Sequence, residues 1–235
     1  MSNIGDLLAL LNDADCLMQG FKDEYRDWSH PYPSAVLVID PEGGTGARVR
    51  WRGGGPFPRA SETRRRIWYE YPGRVRVEVV DGTELVRLGV RDGDRWWTWD
   101  RVGGDASGIV SDVDDARTTP PLLTPPLLTP ARLVGYLRLH LAGTGVRLGR
   151  PVLLAHAEPK ITVPDTAGLS FEFEFDSEYG TVLRRAASRN GRCVQLTEAR
   201  TIRFHTLTEA DRLAFVQPDL EGGRRRLESS TDAGG

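Results

Sequence analysis

The stretch Arg66-Ile67-Trp68-Tyr69-Glu70-Tyr71-Pro72-Gly73-Arg74-Val75-Arg76-Val77-Glu78-Val79-Val80, with Leu88-Gly89-Val90-Arg91-Asp92-Gly93-Asp94-Arg95-Trp96-Trp97-Thr98-Trp99-Asp100 a few residues on, decides the fold class. Ile67, Tyr69 and Tyr71 alternate with Arg66, Trp68 and Glu70, and beyond Pro72-Gly73 the valines Val75, Val77 and Val79 alternate with Arg74, Arg76 and Glu78. A period of two marks strands with one oily face. Val86, Leu88 and Val90 continue the pattern, Asp92-Gly93 signals a tight turn, and Trp96, Trp97 and Trp99 open the next strand. The region reads as an antiparallel meander. Half of the six tryptophans sit in this last strand, so the sheet either packs on something bulky of its own or holds something bulky from outside.

Upstream, Asn3 is placed to cap an amphipathic helix from residue 4 to about 17, with Ile4, Leu7, Leu8, Leu10 and Leu11 as its apolar stripe. Strands are expected from Met18 to Trp28, Ala35 to Asp40 and Ala47 to Arg52. Downstream, Thr119-Pro120-Pro121-Leu122-Leu123-Thr124-Pro125-Pro126-Leu127-Leu128-Thr129-Pro130 repeats a Pro-Pro-Leu-Leu-Thr unit. Proline removes backbone donors, so this segment cannot be a central strand. Thr129-Pro130 starts a helix expected over Ala131 to about Leu141, with Leu133, Val134, Leu137 and Leu141 on one side and Gly143 at its end.

The last block is again strand-like: Val146 to Leu148, Val152 to Ala157, Ile161 to Val163, then Leu169 to Phe175. There Phe171, Phe173 and Phe175 alternate with Glu172, Glu174 and Asp176, giving an apolar face and a solvated one. Thr181 to Ser188 and Cys193 to Phe204 flank Asn190-Gly191, a strong hairpin signal. Leu213 to Pro218 reads as a short closing strand. One domain is expected over residues 1–218 and a disordered tail over 219–235.

With 235 residues the chain can bury a sizeable core, and a net charge of −2 gives its overall field no preference for polyanions. No nucleic-acid partner is expected, and the runs Arg64-Arg65-Arg66 and Arg224-Arg225-Arg226 read as solvated charge. The start lacks a basic segment followed by an apolar one, and no window approaches the ~20 apolar residues of a transmembrane helix. The expected location is therefore cytoplasmic, and Cys16 and Cys193 read as small buried hydrophobes.

Chemistry finds few candidates. His30, His140, His156 and His205 lie in unrelated contexts without metal-ligand spacing, and no serine or cysteine occupies a nucleophile elbow. Gly53-Gly54-Gly55 lacks the Lys-Ser/Thr of a phosphate-binding loop. No enzyme, catalytic residue, metal or cofactor is expected.

Taken in order, these landmarks resemble the bacterial lipoprotein-carrier family, LolA, with its relatives LppX and the lipid-sensing domain of RseB. The amphipathic helix, Pro72 before Val75 and Val77, Asp92-Gly93 before Trp96 to Trp99, Thr129-Pro130 with its helix, Pro159-Lys160, the Asp176 to Thr201 hairpin region and Phe215 with Pro218 carry the likeness. It implies an α+β fold: a strongly curved antiparallel half-barrel of about eleven strands, its concave face closed by the N-terminal helix and the mid-chain Pro-rich lid. Family members hold acyl chains between sheet and helices and work outside the cytoplasm.

The expected function is thus binding of a hydrophobic small molecule, a lipid or an acyl chain. Ile67, Tyr69, Val75, Val77, Val86, Leu88, Val90, Trp97, Phe171, Phe173 and Phe175 are candidate sheet walls of the cavity; Leu122, Leu123, Leu127, Leu128, Leu133 and Leu137 are candidates on the lid side. The alternative is a regulatory module with a filled core that binds a protein partner.

Overall fold

The computed structural model describes residues 3–18, 20–29, 35–38, 48–51, 61–93, 95–100, 130–161, 166–204 and 207–216. Helix α1 (Ile4–Met18) is followed by β1 (Gly20–Ser29), β2 (Ala35–Val38) and β3 (Arg48–Trp51). The meander is β4 (Ser61–Glu70), β5 (Arg74–Asp81), β6 (Glu84–Asp92) and β7 (Arg95–Asp100). After α2 (Ala131–Tyr136) come β8 (Leu137–Arg147), β9 (Arg150–Pro159), β10 (Leu169–Asp176), β11 (Val182–Arg189) and β12 (Arg192–Phe204), then a short α3 (Glu209–Arg212) running into a 3-10 turn, Leu213–Phe215.

Ten strands form one antiparallel open sheet in the order β7-β6-β5-β4-β1-β12-β11-β10-β9-β8, while β2 and β3 pair with each other. The sheet is curved, as a half-barrel requires. Here Trp96 of edge strand β7 and Leu139 of edge strand β8 belong to one buried cluster, together with Leu7, Leu10 and Leu11 of α1. The face that carries this cluster is the concave one.

Several local expectations are corrected. The helix expected over Ala131 to Leu141 stops at Tyr136, and β8 begins at Leu137. Leu137 and Leu139 are buried opposite Pro159 and Ala157 while Arg138 and His140 are exposed, so the period of two wins over the helical spacing. Gly143 is then no helix end: it follows the register shift in β8, at φ 150°. The expected closing strand at Leu213 is the 3-10 turn, which follows a capping box between Thr208 and Asp211. Cys193, expected buried, is exposed at the start of β12. Of Ile161 to Val163, Ile161 lies in a bend after β9 and the other two residues fall outside the described ones, as does the tail expected over 219–235.

Candidate functional site

Strand register sorts the expected cavity residues by face, since partners across an antiparallel pair share a side. Ile67, Tyr69, Val75, Val77, Phe173, Phe175 and Leu137 are buried in the concave cluster, and Leu133 and Phe171 are half-buried against it. The three phenylalanines stack in file, ring centroids 6.1 Å apart for Phe171 and Phe173 and 5.3 Å for Phe173 and Phe175. Helix α1 closes the Phe175 end. A Cβ added at Gly180, which has φ 71°, would lie 2.8 Å from the Leu10 carbonyl oxygen and 3.0 Å from Ala14 Cβ, so glycine lets α1 seat on the turn between β10 and β11.

Leu88 and Val90 are on the other side. Val77 faces Gly89, whereas Leu88 and Val90 stand opposite Glu78 and Arg76, and they build a small convex cluster with Leu85 and Trp99. Val86 is half-buried at the register shift that causes this flip. Trp97 lies opposite Val90, while the tryptophan buried in the concave cluster is Trp96, which the sequence pattern does not single out. Its Nε1 is buried without an acceptor among the described residues. Leu122, Leu123, Leu127 and Leu128 lie outside the described residues.

Away from α1 the concave face becomes polar. Paired residues from β1, β12, β11 and β10 line up there as Asp27, Thr197, Arg185 and Phe173. Asp27 Oδ1 accepts from the Thr197 hydroxyl at 2.7 Å, and its Oδ2 lies 3.0 Å from Nη2 of Arg65 on β4. Arg65, a quarter exposed, is ion-paired on this face and thus only partly follows the solvated reading of its arginine run; its Nε is buried with no described acceptor. Arg185 donates from Nη2 to Gln195 Oε1 at 2.7 Å and places its guanidinium 5.7 Å from the Phe171 ring centroid. No described carboxylate is within ion-pairing distance of it. Arg185 is half-buried and its Gln195 partner exposed; loss of part of its water shell lowers the guanidinium from its ordinary pKa, the neighbouring charge of Arg65 adds to this, and Asp27 opposes it. Arg65, Asp27, Arg185 and Gln195 are not singled out by the sequence, although strand parity forces one of two adjacent arginines, Arg184 and Arg185, to face inward.

The convex face is organised differently. Arg26 meets Glu62, Arg66 meets Glu24, Arg76 meets Glu78, Arg147 meets Glu174 and Arg184 meets Glu172. Asp176, expected on the solvated face, is fully buried and holds the following turn by accepting the N–H groups of Glu178 and Tyr179 beside Arg150. An opening of about 560 Å³ lies between β4, β5 and the α3 segment, lined by Trp68, Arg76, Glu78, Ala210, Leu213, Ala214 and Val216. Its charges are already paired: Arg76 with Glu78 and the Ala214 carbonyl, and Lys22 at the rim with Asp211. His140 is exposed and 4.0 Å from Glu158, and no group of metal-ligating side chains occurs among the described residues. No described helix is long and apolar enough to cross a membrane.

This curved sheet, with a helix on its inner face, has a fold like that of MucB. No protein-family model matches the sequence, and no curated protein does. Among solved structures, the chain is similar to MucB, an RseB-type protein, in the Pseudomonas aeruginosa MucA/MucB complex: TM-score 0.54, 17% identity, 88% of this chain and 59% of that one. An uncharacterised conserved protein from Thermus thermophilus is similar over 92% of this chain and 96% of its own, at TM-score 0.52 and 10% identity. The chain thus spans about three fifths of MucB, and identities this low establish the fold alone.

Proposed function

We propose that the chain is a non-enzymatic carrier or sensor of a lipid or acyl chain, held on the concave face beyond the end closed by α1. The observation that supports it most is the gradient along β10. Phe175 is 0% exposed, Phe173 1%, and Phe171, stacked on them, is only half-buried. Leu133 and Leu141 are half-buried against the same cluster. This apolar surface continues the core outward and is suited to an acyl chain. At about 0.8 kcal/mol per methylene, about ten buried methylenes match the ~8 kcal/mol of micromolar binding before ordering costs. The leucine-and-proline repeat of residues 119–130 is proposed as the cover.

Native mass spectrometry of the purified protein, before and after delipidation and reloading with palmitate, tests this. Bound lipid or stoichiometric uptake is expected; a protein that arrives empty and takes up neither fatty acid nor detergent ends the reading.

A second reading is a protein-docking module, by analogy with MucB, which forms a complex with MucA. It is favoured by Leu213 and Val216, 71% and 62% exposed beside the convex opening. Replacing Leu122 and Leu127 by Asp separates the two: lipid uptake is lost under the first, whereas under the second it is partner capture that changes.

A further inference from the structure

We infer that Arg185, with Arg65 beside it, forms an anion subsite on the concave face that takes the acidic headgroup, carboxylate or phosphate, of the bound amphiphile. The inference rests on the lipid-binding reading above and specifies the chemistry of its ligand.

The first ground is the contrast with the convex face. There Arg26, Arg66, Arg76, Arg147 and Arg184 each have a carboxylate within 4.0 Å. Arg185 adjoins Arg184 in sequence, points to the opposite side, and among the described residues has a neutral amide and an aromatic ring as its partners. The nearby carboxylate, Asp27, accepts the Thr197 hydroxyl through Oδ1 and is ion-paired with Arg65 through Oδ2, an oxygen that is buried and accepts no hydrogen bond among the described residues. Two guanidiniums therefore share one carboxylate in this row, leaving one positive charge without a described counter-ion. Withdrawing such a charge from water is costly unless something compensates it. Packing alone would be served better by an apolar residue, as Ala187 and Ala199 on the same face show.

The second ground is geometry. Nη2 of Arg185 is held by Gln195 and the Phe171 ring lies 5.7 Å from the guanidinium, which steadies the group. Nη2 carries the hydrogen bond shown for Arg185 among the described residues, which leaves its other edge open to a ligand, and Nε of Arg65 is buried without a described acceptor. Free edges of planar guanidiniums match the paired oxygens of a carboxylate or phosphate. Phe171, half-buried, sits beside the charge, so an acidic head on Arg185 would start its acyl chain on the aromatic file of β10.

The test uses the delipidated full chain and three sixteen-carbon probes: palmitate, palmitoyl lysophosphatidate and the neutral hexadecanol. Affinities are measured by displacement of a fluorescent fatty alcohol. An acid-to-alcohol affinity ratio of at least tenfold is expected in the wild type, falling to about one in Arg185→Met. Arg185→Lys, which keeps the charge but loses the fork, should fall between. Melting temperatures confirm that each variant is folded, and Arg185→Met is expected to melt at or above the wild type. Whichever acid binds tighter identifies the head as carboxylate or phosphate. Equal affinity for hexadecanol and both acids, or an acid preference that survives Arg185→Met, overturns the subsite while leaving lipid binding intact. Failure of all three probes to bind removes both.

Discussion

Arg184 and Arg185 are neighbours on β11, yet the two sides of the sheet treat them in opposite ways. Arg184 stands in a lattice of alternating charges with Glu172 and Glu174, on the face that meets water. Arg185 stands over Phe171, next to the second cation of Arg65. Outside, the sheet cancels its charges pair by pair; inside, among the described residues, it is apolar beneath α1 and carries one more guanidinium than carboxylate farther along. Half-burying a cation that has no carboxylate beside it among the described residues is not what stability alone would select.

The largest test of this contrast is at the filled inner half. Phe175→Ala should cost about 3–5 kcal/mol of unfolding free energy in urea, because a fully buried ring leaves a cavity in the file it stacks in. A loss below ~1 kcal/mol would mean that this half is not a packed core. Gly180→Ala should cost about 1–3 kcal/mol and loosen α1 in hydrogen exchange, since the new methyl meets the Leu10 carbonyl at a left-handed position. The two arginines then sharpen the comparison by sign. Arg185→Met should stabilise by about 1–3 kcal/mol, whereas Arg184→Met should change stability by no more than about 1 kcal/mol, as a solvent-facing pair does. The same sign and size for both would erase the distinction between the faces.

The smallest effect concerns α3 on the convex side. The Lys22 ammonium, donating at 2.6 Å, holds the Asp211 carboxyl down to about 2, with help from Thr208. A depressed carboxylate contributes stability above its unfolded value near ~3.9, and that contribution is lost as the pH falls toward 2. Docking of α3 should therefore weaken between about pH 4 and pH 2, by under ~1 kcal/mol after screening. A carboxyl titration by NMR would show Asp211 moving to the usual range in Lys22→Met; an unchanged midpoint would dissociate the pair from α3.

Much of this architecture is legible in the sequence. The alternation of Ile67 to Val79 and of Phe171 to Phe175, with turn dipeptides at Asp92-Gly93 and Asn190-Gly191, identifies strands and their hairpins because the period of two survives any tertiary context. What the pattern does not transmit is parity across a turn. A single extra residue, Val86, moves Leu88 and Val90 to the outer face, and the pairing of Arg91 with Trp96 selects that indole over Trp97. The same blindness hid Arg65 and Arg185: both lie in arginine runs, where one member faces inward only once strand register is known. Leu137 and Leu141 satisfy a helix and a strand alike, Leu139 only the strand, and pairing with β9 decides for the strand.

The order of strands in the sheet also bears on how the chain assembles. Strands β4 to β7 and strands β8 to β11 form two wings, joined at the centre by β1 against β12, where Phe21 meets Phe204 and Ser29 meets Gln195. The first and last strands of the sheet thus make the central seam, while β7 and β8, consecutive among the described strands, form its two margins. Cleaving the polypeptide between residues 101 and 129 would give two fragments, each with a contiguous wing, whose reunion depends on one ladder, on the shared cluster beneath α1 and on the docking of α3 against β4 and β5. Mixing them is a direct way to ask whether the wings fold separately and then zip, or need each other from the start.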